Sequence, residues 1–103
     1  MATRRREVIW TQRARDSLDE AAAYIAQDSP QAALDLVDKA LEAAASLRSL
    51  SERGRVVPEV DDPKLRETFV YKYRLLYEVS SSRVTILGFI HGAQDFNRWW
   101  RGK

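Results

Sequence analysis

Two stretches of helical period stand ahead of a run of strand-like segments, and the change of period divides the chain. In residues 12–27 the apolar positions Ala14, Leu18, Ala21 or Ala22, and Ile25 recur every three or four residues, the spacing of one helix face. Thr11 precedes them and can cap an early backbone N–H with its hydroxyl. Asp28-Ser29-Pro30 then breaks the pattern: Ser29 is a good N-cap, and Pro30 suits the first helical position, where its missing N–H costs nothing. A second helix is predicted over residues 30–50. Ala33, Val37, Ala40, Leu41, Ala44 and Leu47 are expected on one face, with Asp35, Asp38, Lys39 and Glu42 in solvent. Alanines at 21–23, 32–33 and 43–45 let two helices approach closely, and the short connection makes them an antiparallel hairpin.

The remaining segments read as strands. Residues 7–10 (EVIW) are short, apolar and β-prone, and further strands are predicted at 65–70, 73–79 and 84–90. In 73–79, Tyr73, Leu75, Tyr77 and Val79 point one way and Arg74, Leu76 and Glu78 the other. Ser80-Ser81-Ser82-Arg83 supplies a hairpin turn. Gly54 is expected to give a left-handed cap after the second helix. Residues 56–64, with two prolines and three acids, should form an irregular ordered loop. The tail from His91 predicts a short last helix or an arm, and 1–6 and 97–103 are expected as flexible ends of a single domain, 1–103. Strand, helical hairpin, loop and three strands make an α+β fold: helices on one face of a mostly antiparallel sheet.

Composition narrows the classes. A chain of 103 residues can build one modest core. It has no cysteine, so disulfides, thiolate chemistry and the usual zinc ligands are excluded, and with one histidine neither metal nor cofactor is expected. No apolar run approaches a bilayer span, and no apolar stretch follows the N-terminal arginines as in a secretory signal, so a cytoplasmic protein is expected. The net charge of +2 conceals a segregation: +4 over residues 1–15, −6 over 16–52 and +4 over 53–103. An acidic helical layer against a basic sheet favours an acidic or polyanionic partner on the sheet side, although helix surfaces commonly gather acids without any such role.

Five segments in this order resemble the RelE/ParE superfamily of type II toxin–antitoxin toxins, and more closely its ParE-like branch. They are VIWTQRARDSLDEAAAYIA, GRVVPE, LRE, YRLLYEV and VTILGFIHGAQDF, together covering roughly residues 8–96. The resemblance implies a bacterial toxin, of the kind linked to plasmid stabilisation, that inhibits DNA gyrase by protein contact rather than as an enzyme. It implies neutralisation by a ParD-like antitoxin in a hetero-oligomer, through which DNA is touched only indirectly. The antitoxin's place is expected at the helical-hairpin groove and the sheet edge. The alternative within the superfamily is a RelE-like, metal-independent, ribosome-dependent mRNA endonuclease.

Metal-independent RNA cleavage needs a base for the 2′-hydroxyl, an acid for the leaving oxygen and a cation on the phosphate. The resemblance matches Glu59 in VVPE, Arg74 in YRLLYEV and His91 in FIHGAQ to those roles. Gly92 stands where an aromatic neighbour of the histidine is expected, and the basic residues that would hold mRNA are thin after it. Structural roles are equally concrete. Glu59 can pair with Arg55 or Arg66, Arg74 with Glu67 across a hairpin, and His91 can donate to a backbone carbonyl at a strand end. For gyrase, the expected contact residues are Arg66, Arg74, His91, Trp99 and Trp100. Trp99 and Trp100 beside Arg98 and Arg101 suit either a binding surface or an anchor that packs the tail on the core.

Overall fold

The computed structural model describes residues 5–102. Its elements are β1 (Glu7–Trp10), α1 (Gln12–Ala26), α2 (Pro30–Ser46), β2 (Arg55–Val56), β3 (Leu65–Val70), β4 (Tyr73–Val79), β5 (Arg83–His91) and α3 (Phe96–Arg101). The strands form one sheet in the order β1-β5-β4-β3-β2. Only the β1–β5 pair is parallel; the others are antiparallel. The α+β architecture therefore stands, with a two-residue strand added where only turn and loop were expected. Residues 1–4 of the anticipated flexible start lie outside the described residues; Arg6 is tied by its N–H to the Arg48 carbonyl at 2.8 Å.

Local chemistry sets the helix starts as predicted. Thr11 accepts from the Ala14 N–H at 3.0 Å and Ser29 from the Ala32 N–H at 3.1 Å. Helix α2 stops at Ser46 rather than near 50, because Leu47 and Arg48 bond back three residues in a tighter turn. Its buried stripe is also rotated from expectation. Ala33, Leu36, Ala40, Ala44 and Leu47 face the core, while Leu41 is 48% exposed and Leu34 62%. Leu36 wins the inward place because it follows Ala33 by three and precedes Ala40 by four, on the line where the alanines admit α1.

Two cores form, one on each sheet face. Ala14, Leu18, Leu36, Leu75, Tyr77 and Phe89 are among those that join the helical hairpin to the sheet. On the opposite face Val57, Leu65, Leu76, Ile90, Phe96 and Trp99 pack beneath α3 and the 57–64 loop. A β-bulge makes this possible. Leu76 pairs with Gly88 but Tyr77 pairs with Ile86, leaving Leu87 as an extra residue in β5. Ile86 and Phe89 can then both face the hairpin while Leu87 and Ile90 face α3. Gly54 has no positive φ, so it is not a left-handed cap. It is small because a Cβ there would lie 2.3 Å from the Glu67 carbonyl oxygen and 2.6 Å from the Tyr77 hydroxyl. That hydroxyl accepts from the Gly54 N–H at 3.0 Å. Among the described residues, no helix is long and apolar enough to cross a membrane.

Candidate functional site

The α3 face of the sheet carries a ladder of alternating charge. Glu67 and Arg74 occupy diagonal positions on β3 and β4, since Arg74 stands opposite Phe69. Arg74 donates from Nε to Glu67 Oε1 and makes a two-pronged contact with Glu59, from Nη1 at 2.9 Å and Nη2 at 2.7 Å. Arg55 closes the other side of Glu67, Nε to Oε2 at 2.6 Å. The Glu67 side chain has no exposed surface and that of Arg74 only 6%. A carboxylate so placed is tolerable only because two guanidinium groups meet it. Phe96 covers Arg74 from α3, its ring centre 4.9 Å from the guanidinium carbon. The Arg74 hydrogen bond holds the Glu59 carboxyl below the usual carboxylate range, and Glu59 in turn raises the already high Arg74 value.

Glu59 thus pairs with Arg74, not with Arg55 or Arg66. Arg66 instead donates to two backbone carbonyls, Pro63 at 3.1 Å and Gly54 at 3.0 Å. His91 sits elsewhere. Tyr73 stands opposite His91 and Arg74 opposite Ile90, and successive side chains of a strand alternate between faces. His91 therefore belongs to the hairpin face and Arg74 to the α3 face. The imidazole meets the Tyr73 ring edge-on at 5.3 Å. Its Nδ1 accepts from the Ala93 N–H at 3.1 Å, reversing the donor role expected of it. Glu59 and Arg74 are brought together; His91 is not brought to them.

The tail is a docked helix, not an arm. Asp95 caps α3 by accepting from the Arg98 N–H at 3.2 Å. Trp99 is 8% exposed and packs against the sheet at Gly88, where an added Cβ would come within 2.1 Å of its ring. Arg13 of α1 stacks over that ring at 4.0 Å and donates to the Trp99 carbonyl. Trp99 is thereby an anchor. Trp100 is half-buried, with its ring stacked on Phe96 at 5.7 Å.

A family model described as the ParE toxin of the type II toxin–antitoxin system parDE matches residues 8–96. The chain belongs to the ParE toxin family. Among solved structures, a chain of the chromosomal ParDE toxin–antitoxin system from P. aeruginosa shares the fold. The TM-score is 0.69 at 21% identity, over 85% of this chain and 97% of that one. No curated protein matches.

On this ParE-family fold two features escaped the sequence reading. One is Arg13, half-buried on α1 and reaching Trp99, for which an arginine within the amphipathic helix is the sequence sign. The second is an outward apolar stripe on α2, with Leu34 and Leu41 exposed and Val37 between them. It borders a groove of about 570 Å³ whose floor includes Val8, Trp10 and Leu18. Strand β1 is the sheet edge beside it. Among the described residues no group of three or more His, Cys, Asp or Glu could hold a metal ion.

Proposed function

We propose that this ParE-family chain is a toxin that inhibits DNA gyrase through protein contact and is neutralised by a ParD-like antitoxin. The observation that carries the choice of gyrase over RNA is the state of Arg74. Its guanidinium is occupied by Glu59 and Glu67 and covered by Phe96, so a phosphate would have to displace a carboxylate from a buried ion pair. The proton-transfer partner His91 stands on the other sheet face. General acid–base cleavage requires those groups within hydrogen-bond reach of one substrate.

For gyrase contact the reading keeps His91 on the hairpin face and Trp100 on the α3 face as surface candidates, and gives Arg74 and Trp99 the task of holding the α3 face beneath Trp100; Arg66, on the hairpin side, is engaged by the Pro63 and Gly54 carbonyls. For the antitoxin, the Leu34–Val37–Leu41 stripe and the free edge of β1 suit a segment that lays an amphipathic helix on α2 and an extended stretch along the sheet. Supercoiling by purified gyrase tests the target. Inhibition by the toxin, relieved by the antitoxin, is expected; full supercoiling at large toxin excess would overturn the reading.

A further inference from the structure

One end of the molecule gathers cations that the ladder does not use. The start of β1, the end of α2, the start of β3 and the start of β5 meet there, as the bonds from Arg6 N–H to the Arg48 carbonyl and from Val79 N–H to the Lys64 carbonyl require. Arg6, Arg48, Lys64 and Arg66 lie there with Glu52 and Glu78. Among the described residues, none of these six side chains forms an ion pair.

Two of the arginines are held in an unusual way. Arg6 donates from Nε to the Ser80 carbonyl at 2.7 Å and from Nη1 to Ser51 Oγ at 2.8 Å. Arg66 donates from Nε and Nη1 to the carbonyls of Pro63 and Gly54. Every acceptor is neutral. Each guanidinium is therefore fixed without being neutralised and keeps Nη2 for another partner. The ordering entropy that a flexible arginine loses on binding is already spent in folding. Both line one groove of about 670 Å³, together with Lys64, Ser80 and Ser81.

We infer that this groove binds the phosphodiester backbone of a nucleic acid directly, through Arg6, Lys64 and Arg66 with the Ser80 and Ser81 hydroxyls. Fixed cations and hydroxyls are what backbone recognition uses. A protein partner needs apolar anchors as well. Among the described residues, none of the large exposed hydrophobic side chains lines the groove. The inference departs from the expectation that DNA is touched only through the antitoxin, and it does not depend on gyrase being the target.

The test uses the full chain and labelled nucleic acid alone, with duplex DNA of about 20 base pairs and single-stranded RNA in separate arms, followed by anisotropy across salt. Binding at about 50 mM salt is expected, with log affinity falling linearly in log salt. Lys64→Gln and Arg66→Gln should each weaken it several-fold and reduce the slope by about one. Glu52→Gln and Glu78→Gln, which remove carboxylates from the same groove, should tighten it. The arm that binds more tightly identifies the nucleic acid, and either supports the inference. Lys64 and the two glutamates bear exposed side chains, so these variants read binding even if Arg66→Gln loosens the fold. Absence of binding at low salt, a slope unchanged in the variants, weaker binding on removing the glutamates, or preference for poly-glutamate over both nucleic acids would each overturn it.

Discussion

Replacing Arg74 by methionine separates a scaffold role from a contact role. The substitution keeps most of the aliphatic stem under Phe96 but leaves Glu67, whose side chain is wholly buried, with Arg55 alone. Removing one member of a buried pair costs about 3–5 kcal/mol, because the other charge stays behind. Arg55 is 59% exposed at its side chain and offsets part of this, so about 3 kcal/mol is expected. For a domain of this length that lowers Tm by about 12–20 °C. The double variant Glu67→Leu/Arg74→Met removes both buried charges and should recover most of the loss, since apolar replacement of a buried pair is close to neutral. Urea denaturation of wild type, both single variants and the double variant closes a thermodynamic cycle. A coupling of about 2 kcal/mol or more between the two positions is expected. A loss below about 1 kcal/mol for Arg74→Met alone would refute the reasoning, because a buried charge cannot be orphaned so cheaply. Gyrase inhibition by the refolded double variant completes the experiment: activity retained places Arg74 in the scaffold, activity lost places it in the contact.

Other outcomes follow from the same geometry. Gly88→Ala must push Trp99 off the sheet, so tryptophan emission should shift to the red with a loss of about 1–3 kcal/mol; an unchanged spectrum would contradict the anchor. Glu59 has its folded pKa below the ordinary value of 4.5, so the stability it contributes is complete above that value. It is lost as pH falls through the lowered one, and Glu59→Gln should flatten the pH dependence of Tm in that acid range. Leu34→Asp with Leu41→Asp should leave Tm nearly unchanged, both side chains being exposed, while weakening co-purification with the antitoxin.

Helix starts, strand spans and the two-faced alternation of β4 were legible because each rests on local chemistry: a capping hydroxyl, a proline at the first helical position, a period of two. The Glu67–Arg74 pair was legible too, as a cross-strand pairing across a tight hairpin. What could not be read depends on partners distant along the chain. Whether Leu36 or Leu41 faces inward is decided by where α1 lies. The bulge at Leu87 has only Gly88 as a sequence sign, and that glycine serves Trp99, eleven residues on. Gly54 looked like a helix cap and is instead a close approach to Tyr77 and Glu67. The motif that aligns Glu59, Arg74 and His91 with an active site records residue types, whereas strand register alone puts His91 on the far face. Tyr71, at φ 54 in the β3–β4 turn, is a further place where glycine or asparagine would be expected. Its hydroxyl is tied to Asp35 of α2, a contact no local pattern announces.

The most direct test of a contact-acting toxin on this fold is supercoiling by purified gyrase, with wild-type protein and the His91→Ala variant titrated in parallel and mRNA cleavage on ribosomes followed alongside. The account predicts inhibition of gyrase by the wild type and no mRNA cleavage by either protein. Uninhibited gyrase together with ribosome-dependent cleavage that His91→Ala abolishes would contradict it.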